Sequence, residues 1–289
     1  MPRGSDPEDA MPIALTRFAS RAGDHNDRAM QASPLLAAAL SERLGGTPTV
    51  IGRPRPASPT TWDEELTSAL PDLRLMAAHY DRLLTDGLTP VTALSRCAVA
   101  LATLPVVAQH RPDAVVLWFD AHADLNTPFG TTTGYLGGLA LSGPLGLWDS
   151  ALGAGLAESS VILLGTRDID PPEQALIDSG RIRLVPVAPD MADALHREVA
   201  GRPVYVHIDC DVLEPGTVPT DYGVPAGMNL RQLEDCARAL SGSEIVGIEV
   251  GELETDDADA PDADHPARLL VEALEPILDR LADSSRTAR

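Results

Sequence analysis

Val115-Val116-Leu117-Trp118-Phe119-Asp120-Ala121-His122-Ala123-Asp124 and, much later in the chain, Val204-Tyr205-Val206-His207-Ile208-Asp209-Cys210-Asp211 decide how this sequence is read. Each is an apolar run that ends in metal-ligand side chains. A run without polar alternation suits a strand buried on both faces, as in a parallel sheet. The carboxylates then sit at strand exits. In an open α/β sheet the crevice beyond the carboxyl ends of the strands is where distant segments deliver side chains to one point. Asp120, His122, Asp124, Asp209 and Asp211 are expected to converge there. Four carboxylates and an imidazole exceed what one cation needs, whereas two divalent ions about 3.5–4 Å apart with bridging carboxylates use them all. Oxygen-rich ligation with a single imidazole favours manganese over a thiolate-type zinc site. The competing reading makes these Asp residues N-caps and turn formers at strand–helix junctions. Two such motifs, each directly behind an apolar run, favour the metal.

Outward from these strands the chain alternates. Strands are expected at 12–18, 47–52, 89–94, 114–119, 160–165, 182–186, 203–208 and 244–250. Helices are expected near 28–44, 63–86, 97–109, 171–180, 190–200, 229–241 and 266–283. Alternation of this kind predicts an α/β fold with three layers, α/β/α, around a mainly parallel central sheet. Residues 1–11 are polar and aperiodic and read as a disordered leader, leaving 12–289 as a single domain. The segment 120–158 is Gly-, Thr- and Pro-rich and longer than a usual connection, as functional loops at strand exits are. The acidic stretch from Glu252 to Asp264 reads as a solvated loop.

The formal charge of −21 over 289 residues argues against a nucleic-acid or anionic-membrane partner, because the phosphate contribution would be repulsive, and it is compatible with a cationic small molecule. Cys97, Cys210 and Cys236 have no paired or C-x-x-C spacing, and no signal-peptide or membrane-length apolar run is present. A cytoplasmic location is expected. The chain has no lysine, which fits compositional bias rather than function.

Several further blocks follow in order: Asn126-Thr127-Pro128, Thr131-Thr132-Thr133-Gly134, Gly165-Thr166-Arg167-Asp168-Ile169-Asp170, Asp209-Cys210-Asp211-Val212-Leu213-Glu214-Pro215 and Glu252. With the first motif they make the chain, over roughly residues 88–254, resemble the ureohydrolases, the family of arginase and agmatinase. The resemblance implies two manganese ions and hydrolysis of a guanidino group. It implies that Asp120 and Asp209 bridge the ions, that Asp124 serves the first and that His122 and Asp211 serve the second. It further assigns Asp124 a proton-transfer role, Glu252 the guanidino group, and Asn126, Thr133 and Asp170 the amino-acid end of the substrate. Turn and helix-start roles compete for those last three.

Two departures stand out. Cys97 occupies the place of a histidine ligand in a G-G-D-H-S turn, here Leu94-Ser95-Arg96-Cys97-Ala98, and Gly137 stands where arginases carry a proton-shuttling histidine. In that register Cys97 is a candidate thiolate ligand, implying a first metal that is weakly held or is a different ion; outside it, a small buried hydrophobe. Both departures resemble a branch of the family from antibiotic biosynthesis that acts on Nω-hydroxy-L-arginine and releases hydroxyurea. An unmodified guanidine is the alternative substrate. Rival readings are a binding protein that kept the fold without turnover, and a metal-dependent amide hydrolase. His207 reads as a hydrogen-bonded core imidazole, and the oligomeric state is left open.

Overall fold

The apolar runs become strands because five of them present no face to water. In a computed structural model that describes residues 12–287, with side chains to 283, the elements are β1 (Ile13–Phe18), α1 (Arg28–Leu44), β2 (Thr49–Ile51), α2 (Trp62–Thr85), β3 (Thr89–Ala93), α3 (Ala100–His110), β4 (Val115–Phe119), β5 (Val161–Leu164), α4 (Pro171–Asp178), β6 (Arg183–Val185), α5 (Met191–Val199), β7 (Val204–Asp209), α6 (Leu230–Ala239), β8 (Ile245–Gly251), α7 (His265–Ala273) and α8 (Glu275–Thr287). Strands β3, β4, β5, β7 and β8 are buried at every position. The expected leader lies outside the described residues.

The eight strands form one sheet in the order β2-β1-β3-β8-β7-β4-β5-β6, and every pair is parallel. The chain leaves β4 for β5 and β6 at one edge, then returns as β7 and β8 in the gap between β4 and β3. That reversal puts the ends of β3, β8, β7 and β4 side by side, at the kind of switch point where α/β sheets bind ligands. One core joins a sheet face to α1, α5, α6, α7 and α8; the other joins the opposite face to α2 and α3. The result is the expected three layers. Among the described residues no helix is long and apolar enough to cross a membrane.

Two expectations are corrected. The helix expected over 266–283 is two, α7 and α8, broken at Leu274: Pro276 has no N–H to continue the ladder and suits the first turn of a new helix. The acidic stretch is not solvated from its start. Glu252 and Glu254 are 4% and 3% exposed, because an arginine described below draws both inward.

Register also stacks a polar layer inside the sheet. Trp118 of β4 is opposite His207 of β7, His207 is opposite Glu249 of β8, and Glu249 is opposite Thr92 of β3. The indole and imidazole stack with centroids 3.6 Å apart. Glu249 is fully buried and is satisfied by His207 Nδ1 at 2.7 Å, Thr103 at 2.9 Å and the Tyr205 hydroxyl at 2.7 Å. Buried polar groups at this depth demand such partners.

Candidate metal centre and its cavity

Four neighbouring strand ends supply the site. β4 runs directly into Asp120, His122 and Asp124, and β7 ends at Asp209 with Asp211 in the following 3-10 turn. The turn after β3 carries Cys97 and the residue after β8 is Glu252. Two donor groups result, Cys97/Asp209/Glu252 and Asp120/His122/Asp211, each with ligand atoms within 4.8 Å of one another. They open on one cavity of about 420 Å³, which Asp124, Asn126, Thr133 and Asp170 also line. All the residues expected to form the site are thus brought to it, Thr133 at an exposed rim position. Asp124 and Glu252 both have positive φ, 52° and 63°. Non-glycine residues rarely adopt that conformation, and it persists where surrounding structure enforces it, often at functional sites.

The electrostatics call for cations. Burial, reinforced by Asp211, pushes Asp120 up to about 7, and burial with neighbouring carboxylates raises Asp124 and Asp209 well above the carboxylate range. Burial works against a charged His122, yet hydrogen bonds to Asp120 and Asp211 outweigh it and push the imidazole up to about 12. This cage pulls strongly on any positive charge. Asp120 tests the fit: one oxygen accepts from the His122 backbone N–H at 2.6 Å, while Oδ2 is buried and has no hydrogen-bond partner. Asp209 accepts from the Asp211 N–H at 2.7 Å through Oδ1 and faces the Cys97 thiol at 3.1 Å through Oδ2. Hard oxygen donors in this number fit two divalent ions held mainly by carboxylates. Buried Asp120 Oδ2, without a proton donor, is suited to one of them.

Cys97 is 1% exposed, its thiol raised first by burial and then by Asp209, Glu252, Asp120 and Asp124. His207 Nε2 lies 3.0 Å from its sulfur, with Glu249 on the far side of the ring. The imidazole expected to be core is indeed fully buried, but it backs directly onto the site, as outer partners of metal ligands do.

Sequence reasoning missed a buried guanidinium that meets the cavity-lining Glu252. Arg96 is 1% exposed and donates to Glu252 Oε2 at 2.5 Å, Glu254 Oε1 at 2.8 Å and Asp24 Oδ1 at 3.2 Å. Glu252 Oε1 accepts the Cys97 backbone N–H at 2.8 Å. The carboxylate assigned to the guanidino group therefore already holds a guanidinium. An arginine inside Leu94-Ser95-Arg96-Cys97-Ala98-Val99-Ala100, otherwise small and apolar, was the available signal, since such a charge needs buried partners. Three aromatic residues, His25, Tyr135 and Tyr222, also line the cavity and were not among the residues expected there. At the other end Asp170 caps α4 in a capping box with Glu173 and accepts from Asn126 Nδ2 at 2.8 Å, which leaves Asn126 Oδ1 buried and unpartnered. Asp170 thus combines the helix-start role with a place on the cavity wall.

Known proteins resemble this chain in sequence and in fold. The model of the arginase family matches residues 55–274. The chain is 40% identical to N(omega)-hydroxy-L-arginine amidinohydrolase of Streptomyces lavendulae, over 93% of this chain and 98% of that protein. It is 30% identical to human mitochondrial arginase-2, covering 54% of this chain and 50% of the other. In fold it resembles the arginase of Bacillus subtilis, with a TM-score of 0.79 at 21% identity over 92% and 98% of the two chains. Proclavaminate amidino hydrolase of Streptomyces clavuligerus gives a TM-score of 0.69 at 18% identity over 98% and 95%.

Proposed function

This chain belongs to the arginase family, and from that premise we propose that it is a manganese-dependent amidinohydrolase that cleaves Nω-hydroxy-L-arginine to L-ornithine and hydroxyurea. The observation that carries the reaction class is the pair of adjoining donor groups, Cys97/Asp209/Glu252 and Asp120/His122/Asp211, opening on one cavity. Asp120 and Asp209 would be shared between two ions, with Asp124 and Cys97 completing the first and His122 and Asp211 the second. When bound, such ions lower the pKa of water toward neutrality and so supply a nucleophile at physiological pH.

The chain's own residues do the rest. Asn126, Thr133 and Asp170 hold the amino-acid end, where the free Asn126 Oδ1 can accept from an α-ammonium. Glu252 orients the guanidino group through the lone pairs that Arg96 and Cys97 leave unused, and a fixed donor–acceptor geometry of this kind supplies much of the rate. Asp124, on the cavity wall, carries a proton to the departing amine.

Arg96 favours the hydroxylated substrate. A carboxylate already paired with one buried guanidinium gains less from a second full cation than a free one would. N-hydroxylation lowers the basicity of a guanidine, so such a substrate can react uncharged. The name of the Streptomyces lavendulae relative is consistent with this choice. The test is kcat/KM for Nω-hydroxy-L-arginine and L-arginine under matched manganese loading, with hydroxyurea and urea quantified. A preference for arginine, or equal values, would overturn the substrate while leaving the family membership intact.

A further inference from the structure

Gly137 is glycine for a reason visible in the cavity wall. A Cβ there would fall 2.8 Å from Tyr135 Cζ and closer still to Cε1, so the tyrosine ring occupies the space a side chain at 137 would need. The ring is held from two sides, by His25 at a centroid distance of 4.9 Å and by Tyr222 at 5.2 Å. Buried Glu65, in the first turn of α2, fixes this corner: it accepts from the Leu136 N–H at 3.1 Å and meets His25 Nε2 at 2.5 Å. A tyrosine so carefully seated ends in a hydroxyl that is buried and has no hydrogen-bond partner among the described residues. Unpartnered buried hydroxyls cost stability and call for an explanation. Tyr135 lines the same cavity as Glu252, and burial first, then that carboxylate, push the phenol up from its ordinary value, so it is an O–H donor there.

We propose that Tyr135 is a catalytic-site residue that reads the substrate's N-hydroxyl group, its O–H donating to the N-hydroxyl oxygen while Glu252 takes the adjacent N–H. The inference rests on the N-hydroxyguanidine reading above. An unmodified guanidinium offers only N–H donors to this corner, so with arginine bound the tyrosine proton stays without an acceptor. Sites that bury a donor for one substrate discriminate against the analogue that lacks the acceptor, because the donor is then left unpaired. The same geometry accounts for Gly137: a side chain at that position would displace the reader.

The experiment uses the manganese-loaded full chain and two variants, Tyr135→Phe and Gly137→Ala. Tyr135→Phe should lower the hydroxyarginine-to-arginine ratio of kcat/KM by about tenfold to hundredfold, the range for one buried hydrogen bond. Its metal content should match wild type, and its Tm should be unchanged or raised, since the hydroxyl it removes has no partner; a structural role for Tyr135 would lower Tm instead. Gly137→Ala, which forces the ring aside, should cause a similar fall in the ratio, and the double variant should fall no further. Wild type that prefers hydroxyarginine together with a Tyr135→Phe variant that keeps the preference would overturn the assignment of Tyr135 alone. Wild type without the preference would overturn the substrate reading, and this inference with it.

Discussion

Replacing Arg96 with leucine should be the most damaging single change near the cavity that touches no inferred metal ligand side chain. The guanidinium is 1% exposed and is the shared partner of three buried carboxylates, Asp24, Glu252 and Glu254. Removing one partner of a buried ion pair costs about 3–5 kcal/mol, because the other is left uncompensated. Two features place this site at the lower end. Glu254 keeps Arg28 at 3.0 Å, and Asp24 is pushed up to about 7, first by burial, so that near neutral pH it carries only part of a charge. A loss of about 3 kcal/mol corresponds to a fall in Tm of roughly 6–12 °C for a domain of this size. The deficit should depend on pH. Asp24 and Glu254 already have raised values, and without Arg96 they rise further. A raised carboxyl favours the folded state only while protonated, so the variant loses stability as pH climbs through the folded value and recovers it as pH falls. The gap to wild type should therefore narrow between pH 7.5 and pH 5. Thermal unfolding of wild type, Arg96→Leu and Arg96→Lys across that range tests the reasoning, with lysine expected to recover part of the loss. A leucine variant within 2 °C of wild type at pH 7.5, or a gap that widens on acidification, would refute it.

Asp120→Asn or Asp209→Asn should each lower bound manganese from two ions toward one or none and abolish turnover, because an amide replaces a bridging anion poorly; metal analysis after gel filtration measures this, and two ions retained in both variants would remove the binuclear assignment. Cys97→His should raise manganese occupancy at limiting metal and improve turnover of plain arginine, since imidazole suits the ion better than a thiolate does. Its close neighbour His207, 3.0 Å from the sulfur, must give way for that to happen, so the double variant Cys97→His/His207→Ser should bind manganese at least as well; occupancy that ignores both changes would make Cys97 a core residue.

Much of the site was legible because its chemistry lies next to a periodic signal. The runs Val115–Phe119 and Val204–Ile208 are mainly apolar, His207 and the Tyr205 hydroxyl being the exceptions, so they suit the inside of a parallel sheet, and a carboxylate just past such a strand has one direction to face. That argument needs no partner strand, and it delivered Asp120, His122, Asp124, Asp209 and Asp211 from local pattern alone. Cys97, Glu252, Asn126, Thr133 and Asp170 came from resemblance, since in isolation each suits an ordinary turn, cap or core position.

What only the tertiary structure decided depends on which strands are neighbours and in what register. Placing β8 between β3 and β7 sets Glu252 beside Cys97 and Arg96, and sets Glu249 beneath His207. Nothing in the spacing of residues 96, 207, 249 and 252 announces those contacts. The same holds for Tyr135, whose ring lies over Gly137 only because His25 and Glu65, from distant parts of the chain, close the corner. Periodicity is a property of one segment and its own backbone geometry, so one sequence suffices to read it. Ion pairs and unpartnered hydroxyls arise between segments, after packing has chosen which buried groups must share a dry space, and it is that choice which turns a family fold into this particular site.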